Sequence, residues 1–172
     1  MPYTFLTGGA RSGKSTAAER LAHASGSAVV FVATAEALDD EMAARIERHR
    51  TERPSTWTTI EEPAAPAAAV RSCPYDAFVV VDCLTLWVSN VLDEPDEAVL
   101  AAADELAGDL GSHPGGGVIV SNEVGDGIVP ADPKSRRYRE LLGRVNSRMA
   151  AGADRSYLVV AGRLVGLEAI PW

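Results

Sequence analysis

The sequence predicts an α/β fold, a mainly parallel sheet flanked by helices, and three observations carry that prediction. Short β-branched and apolar runs recur along the chain, longer amphipathic stretches separate them, and two of the runs show no polar alternation. These two are Val29-Val30-Phe31-Val32 and Val79-Val80-Val81. A strand with water on one face alternates, whereas a strand covered by helices on both faces reads as a continuous apolar run.

The strand candidates are Tyr3 to Thr7, Ala28 to Ala33, Trp57 to Ile60, Ala77 to Asp82, Gly117 to Ser121 and Tyr157 to Ala161. Between them, helices are expected over Lys14 to Ser25, Asp39 to Glu52, Pro63 to Arg71, Asp96 to Leu110 and Lys134 to Ala151, several opened by Asp, Ser or Pro. In such an arrangement ligands bind at the carboxyl ends of the strands. The chain of 172 residues shows no internal repeat and no linker, so residues 1–172 are expected to form one domain.

Hydrophobic residues make up 47% and charged residues 23%, the balance of a chain that can build a core. Sixteen basic against 24 acidic side chains give a net charge of -8, which argues against a nucleic-acid backbone as partner. No apolar run approaches the length of a membrane span and no basic leader precedes one, so a soluble cytoplasmic protein is expected. Cys73 and Cys83 have neither metal-ligand spacing nor disulfide-framework density and are expected to be core thiols. His23 and His113 are expected at the surface.

Residues Gly8-Gly9-Ala10-Arg11-Ser12-Gly13-Lys14-Ser15 fit the P-loop pattern and fall between an expected strand and an expected helix. Glycines let backbone amides wrap around phosphate oxygens, and the free amides at the helix start favour anions. Lys14 would reach the β- and γ-phosphates and Ser15 would ligate Mg2+. The chain holds only two lysines, so one falling at this place is informative. Asp82, closing the buried run from Phe78, is the acidic partner such a site needs, facing the metal or the incoming hydroxyl; capping of the next turn is its structural alternative. A guanine-reading Asn-Lys-X-Asp segment is absent, which disfavours a regulatory GTPase.

Arg45-Ile46-Glu47-Arg48-His49-Arg50-Thr51-Glu52-Arg53-Pro54 ends a helix whose apolar stripe would be Leu38, Met42 and Ile46. Arg45, His49 and Arg53 recur every four residues on a neighbouring face. Surrounding like charge disfavours the imidazolium, so a ring nitrogen keeps its lone pair near neutral pH and could attack phosphorus. Taken alone, the segment reads more simply as a solvated basic helix end.

These segments, with Trp57-X-Thr59-X-Glu61-Glu62, Val81-Asp82-Cys83-Leu84-Thr85-Leu86-Trp87 and Ser121-Asn122-Glu123-Val124-Gly125-X-Gly127-Ile128-Val129-Pro130, follow in order along nearly the whole chain. Together they resemble the bifunctional adenosylcobinamide kinase / adenosylcobinamide-phosphate guanylyltransferase family. The resemblance implies a P-loop NTPase (RecA-like) fold. It implies phosphorylation of adenosylcobinamide by ATP or GTP, then transfer of GMP from GTP to adenosylcobinamide phosphate with release of pyrophosphate. It places the guanylylated histidine at His49, beside Lys14 and Asp82 as catalytic groups. Nucleotide contacts would fall on Gly8, Gly9, Ala10, Arg11, Ser12, Gly13, Lys14 and Ser15, on Thr34, Ala35 and Glu36, on Thr51, Glu52, Arg53 and Pro54, and on Glu62 and Leu84. Mg2+ would lie on Ser15 and Asp82. A ring-like homotrimer is also implied, with no nucleic acid and no membrane span.

Some positions keep two readings. Glu62 could accept from guanine N1 and N2 or cap the turn before Pro63. The turn Asn122 to Gly127 could meet the corrinoid or the metal, or simply need glycine geometry. Arg137, Arg144 and Arg148 could read phosphate or form an interface, but read more simply as a charged solvent face. Gly162 to Leu167 departs from the more apolar end of the family, leaving a last strand unassigned. Two rival functions share the cradle: a single-activity P-loop kinase, which would not need His49, and a nucleotide-binding module without turnover.

Overall fold

A computed structural model describes residues 3–37 and 40–170, without the side chains of residues 41, 42, 45, 49 and 52. In chain order the elements are β1 (Tyr3–Thr7), α1 (Lys14–Ser25), β2 (Val29–Ala33), α2 (Asp40–Glu52), β3 (Thr58–Glu61), α3 (Pro66–Ser72), β4 (Phe78–Asp82), α4 (Leu84–Asn90), α5 (Asp96–Ser112), β5 (Gly117–Val120), α6 (Pro133–Gly152), β6 (Arg155–Val160) and β7 (Arg163–Leu167). The sheet runs β3-β2-β4-β5-β1-β6-β7. Every pairing from β3 to β6 is parallel, and β7 alone runs antiparallel, against β6.

The unalternating runs take the interior places, because only there are both faces covered. Val29 to Ala33 and Gly117 to Val120 are buried throughout, as are Val79 to Val81. One face packs Leu6, Phe31, Val80 and Val120 against Ala18 and Ala22 of α1. The other packs Phe5, Val81 and Ile119 against Trp87, Leu106, Leu142 and Met149 from the helices opposite. Burying each of the larger side chains contributes about 1.5–3 kcal/mol. Trp87 keeps its indole N–H satisfied by donating to the Ala64 carbonyl at 2.9 Å.

All six parallel strands end at the same edge of the sheet, so the loops following Thr7, Ala33, Glu61, Asp82, Val120 and Val160 converge there. Two elements were missed in the sequence. Helix α4 is one of them, too short to display a period, and it forms by burying Leu84, Trp87 and Val88. Strand β7 is the other, exposed along its whole length and reached through a turn in which Ala161 and Gly162 both have positive φ.

Two sequence expectations are corrected. His113 is buried, 8% exposed, with its Nε2 2.9 Å from the Ala77 carbonyl oxygen beneath the turn that precedes β5. Cys73 and Cys83 are free and only half-buried, and Cys83 lies on a cavity wall instead of inside the core. The arginines of α6 stand on a charged solvent face, as expected, and pair with α5: Arg137 with Asp96 at 2.9 Å, Arg144 with Asp96 at 3.4 Å, and Arg148 with Asp104. Among the described residues no helix is long and apolar enough to cross a membrane.

The loop after β1 depends on two glycines. Gly8 has φ 150°, and a Cβ there would sit 2.3 Å from the Val159 carbonyl oxygen. Gly13 has φ 103° and packs its α-carbon face against Gly162, whose Cα would lie 3.3 Å from an added Cβ. Gly8→Ala is therefore expected to cost about 1–3 kcal/mol. Thermal unfolding should show a drop of several degrees, with weaker nucleotide binding because the cradle itself must shift.

Candidate active site

Lys14 opens α1 and is 7% exposed. Its ammonium donates to the carbonyl oxygens of Gly8 at 3.0 Å and Gly9 at 2.7 Å and lies 3.5 Å from Ser12 Oγ, so the loop holds the cation folded back on itself. Burial pushes the Lys14 pKa down, and the nearby Cys83 and Asp82 push the other way. A hollow of about 270 Å³ lies over Arg11 to Thr16, where phosphate oxygens would meet the loop amides. The hairpin between β6 and β7 closes the loop from outside, as the Gly162 N–H donates to the Ser12 carbonyl at 2.8 Å.

The Ser15 hydroxyl donates to Asp82 Oδ2 at 3.1 Å, joining the start of α1 to the end of β4. Next to this pair opens a cavity of about 290 Å³. Its polar wall includes Ser15, Asp82, Asn122, Glu61, Arg50 and Arg53, and its apolar wall Phe31, Ala35, Ala37, Ile46 and Leu86. The guanidinium of Arg53 stacks 3.7 Å over the Phe31 ring. Burial lowers the Arg53 pKa, against the raising influence of Asp82, Glu19 and Glu61. Arg50 pairs with Glu61 at 3.6 Å, both largely exposed, a contact of little worth to stability. Burial, with Asp82 adding to it, pushes the Cys83 thiol up to about 11, so it is neutral and no nucleophile at pH 7.

Of the residues singled out in the sequence, the loop Gly8 to Ser15, Ala35, Arg53 and Asp82 come together at this edge. Others do not reach the cavity. Glu62 Oε1 accepts from the amides of Ala64 at 3.1 Å and Ala65 at 2.9 Å, the capping alternative, and its neighbour Glu61 lines the cavity instead. The Leu84 side chain is fully buried in the core, with Cys83, Thr85 and Leu86 forming the wall around it. Thr51 is exposed and its hydroxyl donates back to the Arg48 carbonyl at 2.9 Å; Glu36 is exposed as well. Pro54 accepts at its carbonyl from the Trp57 amide.

Thr34 is fully buried and serves the backbone. Its hydroxyl donates to the Cys83 carbonyl at 2.7 Å and accepts from the Cys83 amide at 2.9 Å, which fixes the chain just after Asp82. Asn90 ties this junction to the next loop by donating to the carbonyls of Thr34 at 2.8 Å and Pro63 at 3.0 Å. The side chains of His49 and Glu52, and with them Met42 and Arg45, lie outside the described residues, as do Leu38 and Asp39. Arg50, on the cavity wall, was visible in the sequence only as one of the charges around His49, and Asn122, also on the wall, only as the first residue of the turn Asn122 to Gly127.

The comparisons with known proteins bear on this geometry. Residues 4–167 match the family model of cobinamide kinase / cobinamide phosphate guanyltransferase. The chain belongs to this family. It is 45% identical over 169 residues to the bifunctional adenosylcobalamin biosynthesis protein CobP of Pseudomonas aeruginosa, covering 96% of this chain and 97% of that protein. It is 41% identical to the corresponding CobU of Escherichia coli, covering 91% and 94%. In fold it is similar to the flagellar accessory protein FlaH of Methanocaldococcus jannaschii, with TM-score 0.51 and 15% identity over 95% of this chain and 74% of that one. The fold is that of a P-loop NTPase, and the chain is a kinase and guanyltransferase of cobalamin biosynthesis.

Proposed function

We propose that one site carries both reactions in turn, and the observation that carries this reading is the cavity shared by the Ser15–Asp82 pair and the arginine-bearing end of α2. In the first reaction the aminopropanol hydroxyl of adenosylcobinamide takes the γ-phosphoryl group of ATP or GTP, and the nucleoside diphosphate leaves. Lys14 and the loop amides hold the phosphates while negative charge moves onto the leaving oxygen.

Ser15 and Asp82 would hold the Mg2+ that accompanies the nucleotide. The fit is good, since a hydroxyl and a carboxylate, both hard oxygen donors, already stand 3.1 Å apart. When bound, Mg2+ offsets the phosphate charge.

His49 is the nucleophile of the second reaction. Ile46 and Arg50, which flank position 49 within α2, line the cavity. The His49 imidazole nitrogen bonds to the α-phosphorus of GTP as the bond to the β-phosphate breaks and pyrophosphate leaves. An oxygen of adenosylcobinamide phosphate then displaces the imidazole, giving adenosylcobinamide-GDP. The two attacks fall on different phosphorus atoms, so α2 must move relative to the loop. Glu61 accepts from the guanine N1 and N2 donors, which adenine cannot offer in the same pattern.

The same reading takes residues 1–172 as one cytoplasmic domain that binds no nucleic acid and assembles as a homotrimer. Val160, Leu164, Val165 and Leu167 on the β6–β7 hairpin are each roughly half exposed at the sheet edge, and support assembly there.

Incubating the protein with adenosylcobinamide and each triphosphate, then separating products, should yield first the phosphate and then the GDP-linked corrinoid. Glu61→Gln should lower the preference for GTP over ATP in nucleotidyl transfer by about tenfold to a hundredfold, the worth of a hydrogen bond to a charged partner. Failure to form either product overturns the reading, and an unchanged preference removes Glu61 from it.

A further inference from the structure

The segment after β5 has a construction that neither reaction above uses. β5 lies between β1, which carries the phosphate loop, and β4, which carries Asp82, with Val120 level with both Leu6 and Asp82. Beyond Val120 the chain stays pinned to the loop, as the amides of Ser121 and Glu123 donate to the carbonyls of Leu6 at 2.9 Å and Gly8 at 3.1 Å. Between them, both main-chain groups of Asn122 are taken by side chains. Its amide donates to Thr85 Oγ1 at 2.8 Å, and its carbonyl accepts from Asn146 Nδ2 at 3.0 Å.

Those two partners are themselves fixed. The Ser121 hydroxyl donates to Asn146 Oδ1 at 2.6 Å, and Tyr138 donates to the Thr85 carbonyl at 3.1 Å. Buried, connected polar groups of this kind give a rigid support. Ser121 turns its side chain to α6, and its neighbour Asn122 lines the cavity beside Ser15 and Asp82.

A carboxamide is the one neutral side chain that presents a strong acceptor and a strong donor side by side. Beside Asp82 a second carboxylate would repel phosphate, and an ammonium could not accept from a hydroxyl. We propose that Asn122 is a further catalytic residue of the kinase reaction, its Oδ1 accepting from the acceptor hydroxyl and its Nδ2 donating to an oxygen of the phosphoryl group in flight. The bond from the acceptor oxygen to the γ-phosphorus forms while the bond to the β–γ bridging oxygen breaks. The nucleoside diphosphate leaves with that electron pair, and the hydroxyl proton passes to the transferred phosphoryl group and from there to water. Holding nucleophile and electrophile with one rigid group is a gain in orientation, where a misplacement of about 1 Å costs about 10²-fold.

This inference rests on the kinase reading above. The test uses the whole protein with adenosylcobinamide and ATP, comparing the unaltered chain with Asn122→Ala and Asn122→Asp. For Asn122→Ala, kcat should fall about 10²-fold while the Kd of a fluorescent GTP analogue and the unfolding temperature stay nearly unchanged. The ratio of nucleotide hydrolysed to corrinoid phosphorylated should rise, because water then competes with an acceptor no longer held. Asn122→Asp keeps the acceptor oxygen but adds charge beside Asp82, and should fall further. A kcat within about threefold of the unaltered chain, an unchanged coupling ratio, or a parallel loss of nucleotide binding would each overturn the assignment. Absence of phosphorylation by the unaltered chain would instead overturn the kinase reading beneath it.

Discussion

Replacing His49 by alanine is expected to abolish guanylyl transfer, by on the order of 10⁴-fold, while phosphorylation of adenosylcobinamide survives within about tenfold. The asymmetry follows from where the two attacks occur. A covalent nucleophile has no substitute when it is removed, because the direct displacement must then find its own in-line geometry at the α-phosphorus. The kinase step uses the acceptor's own hydroxyl as nucleophile and asks nothing of an imidazole on α2. With α-labelled GTP the unaltered protein should retain label, stable to alkaline quench, on the peptide containing residue 49, and the variant should retain none. Equal loss of both activities in a folded His49→Ala protein would refute the division of labour.

Lys14→Ala should instead lower both activities by about 10³-fold, since each reaction develops charge on phosphate oxygens held by the same loop. Its effect on folding should run the other way. Burial lowers the Lys14 pKa relative to the unfolded chain, so between the two values the unfolded state binds more protons and stability rises with pH. Below the folded value the buried charge is a net cost, and removing it should leave the unfolding temperature unchanged or higher. The same variant should lose the stabilisation that added nucleotide confers on the unaltered chain. A marked loss of stability without ligand would mean that the bonds to the Gly8 and Gly9 carbonyls hold the fold together, contrary to this account.

The differences between sequence expectation and structure have physical causes. Helix α4 was hidden because seven residues span two turns, and Leu84, Trp87 and Val88 form a stripe only once a core exists to receive them. His113 sits among Gly, Ser and Pro, which read as surface, yet the turn folds under the sheet and the Ala77 carbonyl receives its ring. That Glu61 lines the cavity, where the sequence had pointed to Glu62, is a matter of register. Glu61 pairs with Ala33 at the end of β3, while Glu62 lies one residue beyond and accepts from the Ala64 and Ala65 amides in the turn before α3. A shift of one residue at a strand end exchanges the two sides of the sheet.

By itself the sequence determined the fold class, the phosphate loop and Asp82, which meets that loop from the end of β4. Those follow from local rules: unalternating apolar runs require cover on both faces, and a glycine-rich turn before a helix requires an anion. Tertiary structure alone decided which carboxylate reaches the cavity, that Thr34 serves the backbone after Asp82, and that Asn122 stands between the phosphate loop and β4. Each of these depends on how strands far apart in sequence lie side by side, and pairing across a sheet is set by the packing of the whole chain.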